Sequence, residues 1–351
     1  MVCACGQDGS GPSDASQGDG GIDAPPPILE DVHFYGRWDA VHAAGWPGSA
    51  IVTRFMGTEL RATFREAGDD WLEITVDGTQ RTPLHLTNGT QMYTVVTGLA
   101  AGAHDIEITK RTESFVGTTR FDGFVAATLV PTARATRIVE LIGDSITAGY
   151  GVLGQNPCGF SNATEAESRA WGSLAAHDLG AAHLAIAYSG IGMYRNCCGG
   201  SSTPNADTMP VKYGRMFADQ PSPSWDFSVV PGVVVIGLGT NDFNGGDPGV
   251  GYEDAYQRFI TDVIRVHAPG VPILLATSSM MSSMMSGTGR TQMRARLDAV
   301  AAHFADPKIT VVDIAEQQQA DGIGCDYHPS EATQRKMATQ VVPAIRAAAG
   351  W

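Results

Sequence analysis

The sequence predicts an α/β protein in two parts: an N-terminal all-β sandwich and a C-terminal doubly wound α/β domain. Two changes of pattern carry that prediction. Short alternating or β-branched runs, separated by Gly, Asn and Asp turns, fill residues 28–130. From residue 137 strands and helices alternate, and one strand is continuously apolar, as in a parallel sheet covered on both faces. A chain of 351 residues suits two domains at roughly 100–200 residues each.

Residues 1–27 read as a disordered acidic tether, because from Gly6 onward they are mostly Gly, Ser, Asp and Pro and offer little apolar surface to bury. Val2-Cys3-Ala4-Cys5 resembles the end of a bacterial lipoprotein signal, in which a small residue precedes the cysteine that takes the lipid. On that resemblance Cys5 carries a lipid anchor and the protein is secreted, cell-surface or periplasmic. The alternative is a plain disordered terminus bearing two thiols.

Strands are predicted over 50–57, 60–66, 70–78, 82–87, 91–98, 104–111 and 121–130, with Asp77-Gly78 and Asn88-Gly89 among the turns. This spacing without helices gives a β-sandwich but leaves jelly-roll and immunoglobulin-like topologies open. Residues 131–136 are the expected linker. Beyond it, strands are predicted over 137–143, 183–190, 231–242, 271–278 and 309–315. Helices are predicted over 171–181, 252–269, 291–306 and 330–349.

The balance of 23 basic against 37 acidic residues, a net charge of −14, argues against nucleic acid, whose binders neutralise phosphates. No apolar run of about 20 residues exists to span a bilayer. The six cysteines include no CxxC pair, which argues against zinc. In an exported chain Cys158 pairs with Cys325 or with one of the vicinal Cys197 and Cys198; free thiols are the alternative.

The reactive residues stand at strand ends, where open α/β sheets bind ligands. The first strand runs into Asp144-Ser145, a serine in a tight turn opening a helix. A nucleophile suits that place, since neighbouring backbone N–H groups can stabilise an oxyanion; a helix cap is the plainer reading. The second strand ends at Ser189-Gly190-Ile191-Gly192, and the third at Gly239-Thr240-Asn241-Asp242, whose Asn241 amide can donate to developing charge. The last helix is preceded by Asp326-Tyr327-His328-Pro329. His328 can serve as base, with a carboxylate beside it.

Taken together, Gly143-Asp144-Ser145, Gly239-x-Asn241-Asp242 and Asp326-x-His328-Pro329 resemble the SGNH hydrolase superfamily over residues 137–351. The resemblance implies that Ser145 is the nucleophile and His328 the general base and acid. It places the oxyanion between the Ser145 N–H, Gly192 (with Gly190 the alternative) and Asn241. The whole chain looks more narrowly like carbohydrate esterase family 2, through residues 158–176, 189–196 and 324–330. That family joins a jelly-roll sandwich to this hydrolase domain and deacetylates plant cell-wall polysaccharides such as xylan and glucomannan. It implies an acetylated polysaccharide substrate and no metal or cofactor.

One spacing departs from the superfamily. Cys325 holds the place three before the histidine, and Asp326 stands two before it. Either Asp326 completes a triad or a backbone carbonyl orients His328, as in some family 2 members. Tyr327 is a candidate substrate contact, and Tyr194, Arg195 and Asn196 could line the cleft. Two other functions stay open: a lipase or thioesterase using the methionine-rich stretch 280–287 as an acyl groove, and a non-catalytic carbohydrate binder. For the latter, Trp38, Trp46 and Trp71 would be exposed platforms, whereas core packing is the reading preferred for all three.

Overall fold

A computed structural model describes residues 29–197, 207–281 and 288–351. Cys3, Cys5, Cys198 and most of the methionine-rich stretch lie outside them.

The first domain is two antiparallel sheets packed face to face. Ala50–Gly57 is flanked in a seven-stranded sheet by Gly102–Lys110 on one side and by Val32–Tyr35 and Thr128–Val130 on the other; Trp71–Val76 follows Gly102–Lys110. The second sheet runs Ala43–Ala44, Thr119–Phe124, Leu60–Glu66, Gly89–Val96. Strand alternation puts Leu60, Ala62 and Phe64 inward against Ile51, Phe55, Ile74, Ile106 and Ile108. The run expected as one strand over 121–130 is two strands in different sheets. Ala126, at φ 52°, makes the corner between them. Within 131–136, Thr132–Ala133 pairs with Leu29–Glu30, so the chain entering the domain and the chain leaving it are side by side.

The second domain is a five-stranded parallel sheet, with β1 Ile138–Gly143, β2 Ala182–Ala187, β3 Val233–Gly237, β4 Ile273–Ala276 and β5 Ile309–Val312 in the order 2-1-3-4-5. Its helices include α1 Ser145–Ala148, α2 Trp171–Asp178, α3 Val250–Phe259, α4 Gly289–Phe304 and α5 Glu331–Ala349. Strand residues alternate between two cores. Val233 and Val235 join α2 and α5, while Val234 and Ile236 join α3 and α4. The helix expected over 252–269 is interrupted: α3 gives way to a wider π turn at Ile260–Ile264. Reversal of strand order between β1 and β3 places a crevice outside their carboxyl ends.

The two domains share buried surface. Trp46 of the sandwich is fully buried within the core formed by α3 and α4. Arg37, also fully buried, donates to the carbonyls of Tyr213 and Arg215. It lies between the rings of Trp46, Tyr213 and Trp225, with Glu140 of β1 4.0 Å away. Trp38 packs on the sandwich core, and Trp71 lies half-buried against the His85 ring. None of the three tryptophans is an exposed platform. Among the described residues no helix is long and apolar enough to cross a membrane.

Candidate active site

The Ser145 position is built by β1 and its turn. Gly143 allows the chain to fold back on itself, since a Cβ there would lie 2.0 Å from Thr147 Oγ1. Asp144 then adopts extended backbone and its Oδ1 accepts the Ile146 N–H at 3.0 Å, starting α1 with Ser145 as its first residue. The expectation of a cap at this turn is met by Asp144, which leaves the Ser145 hydroxyl for another partner. That partner is His328: Ser145 Oγ–H donates to Nε2 at 2.8 Å. Gln334 of α5 locks the turn from behind, accepting from Trp171 N and donating to Ile146 O, both at 2.9 Å.

His328 is oriented by main chain. Its Nδ1 lies 3.2 Å from the carbonyl oxygens of both Cys325 and Asp326. Carbonyls only accept, so Nδ1 carries the proton and Nε2 keeps its lone pair toward Ser145. Asp326 and Tyr327 occupy the left-handed region at φ 49° and 64°. Two such residues in succession are strained and persist only where surroundings hold them. Here Asp326 N–H donates to Cys158 O at 2.8 Å, Cys325 N–H donates to Gly151 O at 3.1 Å, and a disulfide joins Cys158 to Cys325. Burial pulls the His328 imidazole down to about 4, against the pull of the two carbonyls and the Asp326 charge, so at neutral pH it is an unprotonated base.

The Asp326 carboxylate is elsewhere. The left-handed backbone that turns its carbonyl onto Nδ1 sends its side chain to Tyr150, whose hydroxyl donates to Oδ2 at 2.6 Å. The Tyr150 ring stacks on the imidazole with centroids 4.2 Å apart. Of the two ways of orienting His328 left open by the spacing, the geometry has the backbone one. Tyr150, which directly follows the serine turn, had no motif to mark it.

The oxyanion side also departs from expectation. Gly192 N–H is already committed to Asn196 Oδ1 at 3.0 Å. Gly190, at φ 75°, carries no hydrogen bond on its N–H among the described residues. Asn241 Nδ2 donates to Ile191 O at 2.7 Å and, at 3.5 Å, to Asp144 Oδ2, so the second amide hydrogen is the weakly held one. Asp242, fully buried, accepts the N–H groups of Met193, Tyr194 and Arg195 at 2.9, 2.7 and 2.9 Å. Arg195 donates to the carbonyls of Asp242 and Gly246. Arg195 and Asn196 thus brace the loop. Tyr327 is 60% exposed beside the histidine, where a substrate can meet it. Met280 and Met281 are buried in the two cores and form no groove. A groove of about 930 Å3 runs between the sandwich and α2 past His33, Tyr35, Glu73 and His183, with neither Ser145 nor His328 in its wall.

The carbohydrate esterase 2 N-terminal family matches residues 34–132, and the GDSL-like lipase/acylhydrolase family matches residues 141–336. A solved family two carbohydrate esterase from Clostridium thermocellum, in complex with cellohexaose, is 32% identical; the match covers 91% of this chain and 99% of that one, with a TM-score of 0.83. The chain belongs to carbohydrate esterase family 2. Its family 2 fold extends to a second solved member that carries a carbohydrate-binding domain, from Corynascus thermopiles (Myceliophthora fergusii), at 32% identity and TM-score 0.82, covering 91% of this chain and 100% of that one. Among curated family relatives, the cellulase/esterase CelE of Acetivibrio thermocellus is 33% identical over 91% of this chain, which spans only 40% of that protein's length. An acetylxylan esterase / glucomannan deacetylase of Cellvibrio japonicus is 25% identical, covering 89% of this chain and 86% of that protein.

Proposed function

We propose that this family 2 chain is a serine esterase that removes O-acetyl groups from plant cell-wall polysaccharide, xylan or glucomannan, through a Ser145–His328 dyad. The observation that carries the proposal is the Ser145 Oγ to His328 Nε2 hydrogen bond, with Nδ1 held by main-chain carbonyls. The relatives' names supply the substrate class.

His328 takes the Ser145 proton as Oγ bonds to the acetyl carbon, and the carbonyl electron pair moves to oxygen. Ser145 N–H, Gly190 N–H and the Asn241 amide receive that oxyanion. Its collapse breaks the bond to the sugar oxygen, which leaves with the proton from His328. Water then attacks the acetyl-serine, giving its proton to His328. Acetate departs and Ser145 regains its hydrogen. Tyr327 is the proposed contact for the sugar. Cys5 is the proposed lipid anchor of a secreted or cell-surface protein.

Acetate release from acetylated xylan and glucomannan tests the reading, alongside 4-nitrophenyl acetate, butyrate and octanoate, for wild type and Ser145→Ala. The expected result is acetyl-selective turnover that disappears in the variant. Preference for octanoate would reassign the chain to longer acyl esters, and turnover surviving in Ser145→Ala would overturn the dyad.

A further inference from the structure

The sandwich domain reaches the reaction centre. Between its strands Gly102–Lys110 and Thr119–Phe124 a loop enters the hydrolase domain, carrying Arg111 and Glu113, both buried. The Glu113 carboxylate accepts two bonds from one residue, the N–H of Ser189 at 2.5 Å and its hydroxyl. Ser189 immediately precedes Gly190. The same loop holds the other side of the site. Glu113 N–H donates to Glu165 Oε2 at 3.0 Å, and the Arg111 guanidinium donates to the carbonyls of Ala163 and Glu165 at about the same distance. Glu167 N–H returns a bond to Arg111 O at 3.1 Å. Those residues lie on the segment that begins at the Cys158 disulfide beside His328.

We infer that Glu113 is a positioning residue for the oxyanion hole: by fixing Ser189 at two atoms, it holds the Gly190 N–H in line with Ser145 and Asn241. Glycine is the residue least able to hold its own backbone angles, so a donor on Gly190 needs its neighbours fixed. Downstream, Cys197 N–H to Gly190 O at 2.8 Å supplies one brace. Upstream the brace is Glu113, contributed by the other domain. A buried carboxylate costs more to desolvate than a neutral side chain. A neutral residue could join two domains, whereas two acceptor oxygens are needed to grip both Ser189 donors. The inference rests on the proposed esterase chemistry.

The test compares wild type, Glu113→Gln and Ser189→Ala on 4-nitrophenyl acetate, with thermal melting and kcat expressed per site titrated by a serine-reactive fluorophosphonate. Gln keeps the shape but has one acceptor oxygen. A misaligned oxyanion donor is expected to lower kcat about tenfold to a hundredfold, a part of what outright loss of a donor costs. KM should stay within about twofold, since ground-state binding is untouched. A folded Glu113→Gln protein with wild-type kcat, or with a defect confined to KM, overturns the inference. If that variant does not fold, Ser189→Ala decides: a lower kcat at unchanged KM supports it, and an unchanged kcat overturns it. A wild type inactive on every ester would instead defeat the esterase reading itself, whereas active wild type with dead Ser145→Ala and unimpaired Glu113→Gln defeats only the positioning role.

Discussion

Replacing Asp326 by Asn separates the two ways in which this residue could serve His328. The change removes the carboxylate and keeps the main-chain carbonyl that lies 3.2 Å from Nδ1. Were the carboxylate the orienting group, the loss would be about 10^4-fold in kcat, as for a triad aspartate, or about 5 kcal/mol at 1.36 kcal/mol per decade. In the structure that carboxylate bonds to Tyr150 Oη at 2.6 Å. Asn offers the same hydroxyl a neutral acceptor, a difference of about 1 kcal/mol, and it tolerates the left-handed backbone at φ 49°. The expected kcat on 4-nitrophenyl acetate at pH 7 is therefore within about tenfold of wild type, less than one decade at 1.36 kcal/mol. Asp326→Ala makes a useful partner, because alanine at that φ adds about 1–2 kcal/mol of backbone strain and should lower the melting temperature further. A thousandfold fall in folded Asp326→Asn would refute the backbone-orientation argument. It would mean that the carboxylate reaches Nδ1 during turnover.

Three further outcomes follow from the buried groups and the disulfide. With His328 held near 4 by burial, the acid limb of kcat/KM should centre near pH 4 and be flat through 6.5; a limb at the ordinary histidine value would contradict the burial argument. Burial raises Glu66 to about 8, Asp144 to about 7 and Asp242 to about 6, and pushes Glu113 and Glu165 up too. Each binds its proton more tightly folded than unfolded, so its stabilising contribution is present at low pH and lost as pH rises through the folded value. His328 acts in the opposite sense, but only between about 4 and 6.5. The melting temperature should therefore fall from pH 6.5 to pH 8.5, and a rise would contradict the assignment. The Cys158–Cys325 link spans 167 residues, so replacing both cysteines by serine should lower the melting temperature, by an amount set by about 5 kcal/mol of loop-closure entropy. It should slow turnover as well, since the bond anchors the turn that presents carbonyls to His328. Unchanged melting and turnover would refute both.

Periodicity and turn chemistry made most of the framework legible. Ala50–Gly57 and Leu60–Glu66 have the predicted bounds, and Ser330 caps the last helix where the pattern placed its start. Ser145, Asn241 and His328 could be singled out as candidates because each stands at a strand end or a helix start with a specific neighbour. What was hidden depended on backbone direction. Nothing in the letters Cys325-Asp326-Tyr327 announces two consecutive left-handed residues, and it is these that put a carbonyl where a carboxylate was considered. Of Gly190 and Gly192, it is Gly192 whose N–H is already occupied, by a contact with Asn196 four residues on. Arg37 and Glu113 sit in stretches that read as sandwich loops. Their burial is created by the other domain, and no local pattern encodes it.

The placement of Arg37, Trp46 and Glu113 bears on how freely such domains can be recombined. A chimera joining this hydrolase domain to a foreign sandwich would lose the Trp46 ring from the core, a change of the kind that costs about 3–5 kcal/mol. Glu140 would be left in β1 without the guanidinium that faces it, and Ser189 would lose the acceptor for its N–H. Grafting would succeed only with donors that carry an arginine, a large aromatic and a carboxylate at the same three places. Each half of the molecule thus constrains what sequences the other can accept, and substitutions at this seam should arise in matched pairs.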